Sequence, residues 1–170
     1  MNIIFLDIDG VLMPLGSHEY LRSDAPALKA FYVSQDARFE SVNAYDIAAV
    51  DLDWYPRASR YIQTLAKTCD ASIVLTSSWR IHRSLDTLKL LFSLHGLDQY
   101  LLDATLDTGD KAEEIQLYLW GYPDIKRYVV IDDLDMERSF RNHFVHVRDK
   151  YFNEENLKEA VSILMDSHTR

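Results

Sequence analysis

Three short apolar runs that stop abruptly at polar residues constrain this chain more than any other feature. Ile3-Ile4-Phe5-Leu6 runs straight into Asp7, the apolar part of "SIVLTSS" ends at Thr76, and "RYVVIDD" ends at Asp132 and Asp133. Strands that are apolar without alternation need cover on both faces, which is the condition of a parallel sheet. The cover is visible between them. Ala58, Tyr61, Ile62, Leu65 and Ala66 share one helical face,. Leu85, Leu88, Leu91 and Phe92 mark a second helix, with Gly96 suited to its C-terminal cap,. Further helices are predicted over 111–120 and around Leu157, Ala160, Val161 and Leu164, with weaker strands near Tyr100–Leu102 and at "FVHV". The expected fold is therefore α/β, a Rossmann-like doubly wound parallel sheet with a small insertion after the first strand. Ligands of such sheets bind beyond the carboxyl ends of the strands, so Asp7, Thr76 and Asp132 should converge on one rim.

A chain of 170 residues fits one domain spanning 1–170 and can bury a core without disulfides,. Residues 13–54 break the strand–helix alternation; they read as a small cap or an ordered loop,. Cys69 is the single cysteine and lacks an evident base partner, so it reads as structural, and a reducing cytoplasm is the expected location,. No run approaches the roughly 18 apolar residues of a membrane span, and no secretion signal is read at the N-terminus. The net charge of −9 disfavours broad binding to nucleic acid or anionic lipid while leaving room for a local basic pocket,.

Why end core strands on carboxylates, when burial disfavours the charged form? Any one of "DIDG" (7–10), "TSS" (76–78), "GDK" (109–111) and "IDD" (131–133) alone would be a turn or a helix cap, and Lys111 alone a solvated lysine,. Together they put carboxylates and hydroxyls on one rim, an arrangement that repels itself unless a cation and an anion share the site. Carboxylates without Cys or His are hard oxygen ligands suited to Mg²⁺, which often shares its shell with phosphate. A hydroxyl with backbone N–H groups at a helix start is an anion site. Asp110 and Glu113 stand at capping-box spacing, which places Lys111 in a first helical turn, where a cation opposes the macrodipole unless it faces an anion,. The set describes a magnesium-assisted phosphoryl-transfer site.

In order and spacing, these four segments resemble the motifs of the haloacid dehalogenase-like (HAD) hydrolases. "DIDGVL", "LTSSWR" and the late "IDD" look most like a small HAD subgroup that includes domains fused to RNA-repair proteins. The resemblance implies that Asp7 is a nucleophile forming an aspartyl-phosphate and a Mg²⁺ ligand. It makes Asp9 the general acid/base, lending its backbone carbonyl to the metal. Thr76, Ser77 and Lys111 would hold the phosphoryl group, and Asp132 and Asp133 would complete the metal site. An acid at the position of Asp9 points to the phosphatases of the superfamily. The implied activity is a Mg²⁺-dependent phosphomonoester phosphatase acting on a small phosphorylated metabolite or nucleotide. The alternatives are a polynucleotide-end phosphatase and a catalytically silent phosphate-binding module.

Other residues carry two readings each. Arg80 grips a second anionic group of the substrate or pairs with a nearby carboxylate. The aromatics Tyr20, Phe31, Tyr32, Phe39 and Tyr45 form a private core, the favoured reading, or a base-stacking surface. Asp51 and Asp53 are expected to be solvated or capping. His143 and His146, three apart on a predicted strand distant from the other motifs, face opposite ways and should not share a metal.

Overall fold

A computed structural model describes residues 1–166. Five strands, β1 (Asn2–Leu6), β2 (Ala71–Leu75), β3 (Leu101–Ala104), β4 (Arg127–Asp132) and β5 (Phe144–His146), form an all-parallel sheet in the order β3-β2-β1-β4-β5. Helices α1 (Ala25–Gln35) and α2 (Ala44–Asp53) belong to the stretch after β1. They are followed by α3 (Pro56–Thr68), α4 (Leu85–Ser93), α5 (Lys111–Gly121), α6 (Glu137–Phe140) and α7 (Glu154–Met165). The fold is the Rossmann-like α/β architecture expected.

Alternation along β1 shows how the sheet is covered. Ile4 and Leu6 pack in one apolar cluster with Ile62 and Leu65 of α3, Leu88 and Leu91 of α4, and Ala160 and Leu164 of α7. Ile3 and Phe5 point the other way, into a smaller cluster with Ile115 of α5 and Phe140 of α6,. Ile3, Ile4, Phe5 and Leu6 are all fully buried, and each such side chain contributes roughly 1.5–3 kcal/mol,. That burial offsets the placing of carboxylates at the strand ends. Among the described residues no helix is long and apolar enough to cross a membrane.

The strand order also locates the site. After β1 the chain steps outward to β2 and β3, then returns to the far side of β1 to lay down β4 and β5. The reversal falls between β1 and β4, where a cleft opens at the carboxyl ends of the strands.

Residues 13–54 are mostly helical. Short 3-10 turns at Glu19–Arg22 and Ala37–Ser41 alternate with α1 and α2. Phe39 is buried and packs on Tyr32, which meets Phe31 edge-on. The expectation of a private core is corrected: Phe39 belongs to the main apolar cluster under the sheet, Tyr32 packs against that cluster, Phe31 is exposed, and Tyr20 and Tyr45 lie outside it. Asp53 takes the capping reading and not the solvated one: it is buried, and its carboxylate accepts from Glu19 N (3.1 Å) and Tyr20 N (3.3 Å) in a turn more than thirty positions upstream. Asp51 accepts from the Tyr32 hydroxyl.

Candidate active site

Parallel register sets the geometry. Leu6 pairs with Leu75 on one side and Ile131 on the other, so the residues that follow, Asp7, Thr76 and Asp132, emerge side by side. Asp7 N donates to Ile131 O (3.1 Å) and Thr76 N to Leu6 O (2.9 Å), which holds all three at one level. The chain then folds into a tight loop in which Ile8 O accepts from the N–H groups of Val11, Leu12 and Met13. This loop carries Asp9 to the rim. Gly10 has φ +77, and a Cβ there would come within 2.5 Å of Asp133 Cγ, so only glycine lets the loop lie against Asp133,.

Lys111 reaches in from the first turn of α5. Its ammonium lies 2.7 Å from Asp132 Oδ2 and 3.3 Å from Asp7 Oδ2. Half of the expected capping box is realised: Asp110 accepts from Ala112 N and Glu113 N, while Glu113 turns instead to the Thr108 hydroxyl. Asp132 is wholly buried and also accepts from Leu134 N (2.8 Å). Carboxylate oxygens of Asp7, Asp132 and Asp133 all lie within 4.8 Å of one another. At such separations like charges repel by roughly 4 kcal/mol even at a surface-like dielectric. One lysine cannot balance three carboxylates and Asp9. The donor set, all hard oxygens, fits a divalent ion such as Mg²⁺.

The titration behaviour has the same cause. Burial, ahead of the pull of Lys111, raises the Asp7 carboxyl above its ordinary range. Burial and then the Asp7 charge push Asp132 up to about 6. Burial alone would lower Lys111, but Asp7 and Asp132 outweigh it and raise the ammonium. Asp9 is raised by burial, then by Asp7 and Asp133, against Lys111 and a hydrogen bond from Trp79. A carboxyl raised this way keeps its proton to higher pH than an ordinary one, which is the direction a general acid needs.

Thr76 Oγ1 is buried without a hydrogen-bond partner among the described residues, so its donor is unmet within the fold,. Ser77 is used differently: its hydroxyl caps the 3-10 turn Ser78–Arg80, accepting from Trp79 N. Arg80 is not available to a ligand. Its guanidinium is buried, ion-paired with Glu114, and donates to Thr76 O (2.6 Å) and Thr105 O (2.9 Å). The carboxylate-pairing reading of Arg80 is the one realised, because a buried guanidinium needs a charge partner.

Some neighbours escaped the sequence reading. His146 pairs in register with Asp132, and its Nε2–H donates to Asp133 O (3.0 Å), so it adjoins the site although distant in sequence. His143 instead bonds Tyr128 O and stacks on that ring, away from any shared metal. Arg83 is held by Asp46 of α2, and its only forewarning was a position just after the "TSSWR" stretch.

A parallel sheet whose central strand ends in Asp-x-Asp, flanked by a strand-terminal hydroxyl, a helix-start lysine and an Asp-Asp pair, is the arrangement of a HAD-like hydrolase. The family described as "HAD domain in Swiss Army Knife RNA repair proteins" matches residues 3–157, and the chain belongs to it. No curated protein and no solved structure gave a significant match.

Proposed function

We propose that the chain is a Mg²⁺-dependent phosphomonoester phosphatase working through an aspartyl-phosphate on Asp7. The observation that carries the reading is the set of three carboxylates within 4.8 Å beside a lysine ammonium and an unpartnered threonine hydroxyl. Asp7, Asp132 and Asp133 would hold the ion, which when bound neutralises phosphoryl charge. Thr76 Oγ1 and Lys111 Nζ donate to the phosphoryl oxygens. An Asp7 carboxylate oxygen attacks phosphorus, the P–O bond to the leaving group breaks, and Asp9 delivers its proton to the departing oxygen. Asp9, now ionised, takes a proton from water; that water attacks the phosphorus and frees Asp7 with release of inorganic phosphate.

The substrate class favoured by the acidic chain is a small phosphorylated metabolite or nucleotide. The family description adds a second reading, removal of phosphate from an RNA end. Rates on a mononucleotide and on a 3′-phosphorylated oligonucleotide separate the two.

The chemistry is tested with p-nitrophenyl phosphate. EDTA should abolish turnover and Mg²⁺ restore it. Nitrophenolate leaves without help, so Asp9→Asn should give a burst and then a slow phase as phosphoenzyme accumulates, and Asp7→Asn no burst. Full activity in EDTA, or an undiminished burst in Asp7→Asn, would overturn the proposal.

A further inference from the structure

Asp9 protonates the leaving oxygen in the reading above, so the leaving group must lie on the Asp9 side of the site. A cleft of about 430 Å³ opens there, between the insertion and residues 78–83. This is within the range of small-molecule sites, roughly 300–1,000 Å³. Asp9 and Met13 line it together with three aromatic residues, Tyr20, Tyr45 and Trp79.

Two ties hold the three aromatic residues in place, one for Tyr20 and one shared by Tyr45 and Trp79. Tyr20 sits on the 3-10 turn capped by buried Asp53. Tyr45 stands on the first turn of α2, which is tied to the sheet side by Asp46 and Arg83 at 2.6 and 2.7 Å. The same Arg83 lies 4.6 Å over the Trp79 ring and donates to Trp79 O, while Trp54 braces that ring edge-on. Tyr45 is 52% exposed, and neither it nor Tyr20 is part of the apolar core that takes in Phe39 and Tyr32. Folding alone does not require two tyrosines to line an open cleft beside a reactive carboxyl.

We propose that this cleft binds the nucleoside of a phosphorylated nucleotide, the base lying against the tyrosine and tryptophan rings while its phosphate meets Asp7. This rests on the phosphatase reading for its orientation. Three aromatic side chains in one lining favour a planar partner over a sugar phosphate,. Ser78 and His82, also in the lining, suit the hydrogen-bonding rim of a base, which the ring of a phosphotyrosine lacks,. Arg83 already answers the charge of Asp46, so no uncompensated cation of the cleft calls for a second phosphate.

The test compares kcat/KM for adenosine monophosphate, ribose 5-phosphate and phosphotyrosine in wild type, Tyr45→Ala and Tyr45→Phe. Quenching of tryptophan fluorescence by adenosine, which has no phosphate, is followed in the same proteins. Wild type should prefer the nucleotide about tenfold or more. Tyr45→Ala should shrink that preference about tenfold and weaken adenosine binding, and Tyr45→Phe should keep both. Circular dichroism checks that the variants fold. Adenosine binding that depends on Tyr45, without hydrolysis of any phosphomonoester, would support the cleft and defeat the catalytic reading. Hydrolysis with no preference and no adenosine binding would defeat the cleft alone, as would a preference for phosphotyrosine.

Discussion

Lys111 bears a heavier structural load than an exposed lysine would. It separates two buried carboxylates, Asp7 and Asp132, at 3.3 and 2.7 Å. Removing one partner of a buried pair costs roughly 3–5 kcal/mol, because the remaining charge is stranded. Lys111 itself is partly exposed, so Lys111→Ala should lower the stability of metal-free protein by on the order of 2 kcal/mol at neutral pH. Chemical denaturation in EDTA measures this, and added Mg²⁺ should recover part of the loss. On the proposed mechanism turnover should fall by about 10² or more even with Mg²⁺, since a donor to the transferring phosphoryl group would be lost. Wild-type stability together with wild-type turnover would remove Lys111 from both roles.

The distance between Thr76 and Lys111 depends on how β2 meets α5, and Arg80 governs that junction. Its guanidinium bonds the carbonyls at the ends of β2 and β3 and the carboxylate of Glu114, one turn beyond Lys111. Glu114 also accepts from Thr108 N (3.0 Å) and the Thr105 hydroxyl (3.3 Å), locking the loop that precedes α5. Glu114→Ala should therefore cost roughly 3–5 kcal/mol by leaving Arg80 buried and unpaired. Combining Arg80→Met with Glu114→Leu should recover much of that stability, read from urea unfolding midpoints. The double variant should still lose turnover, because Thr76 and Lys111 are no longer held in register. A double variant less stable than Glu114→Ala would show that the charges, not the packing, maintain the junction.

The sheet gathers acidic groups from different strands into one switch-point cleft, and stability inherits their titration. In metal-free protein Asp132 holds its proton up to about 6, against an ordinary value of 3.8, and Asp7 is raised in the same direction. Between those values the folded state binds more protons than the unfolded chain, so stability should fall as pH rises from about 4 to 6. Mg²⁺ needs the ionised carboxylates, so its stabilisation should be small at pH 5 and larger at pH 7. Melting temperatures with EDTA and with Mg²⁺ across that window give the answer. A metal-free melting temperature unchanged from pH 4 to 6, with a Mg²⁺ shift independent of pH, would separate the cluster from folding.

Local pattern was enough to find the strands, the main helices and the residues at the strand ends. An apolar run reports burial by itself, and in a parallel sheet the first polar residue after it has nowhere to go but the rim. Asp7, Thr76 and Asp132 were legible for that reason, and Lys111 because a helix start is marked by its cap. The partners of long polar side chains were not legible. Arg80 finds Glu114 across 34 positions, Asp53 finds Glu19 across another 34, and His146 meets Asp133 only because β5 lies beside β4. Ser77 turned to its own turn, and Tyr20, Tyr45 and Trp79 came to face one cleft from three separate segments. Hydrophobic periodicity is a property of neighbours along the chain; the pairing of charges, caps and rings is decided by which elements the crossovers bring together.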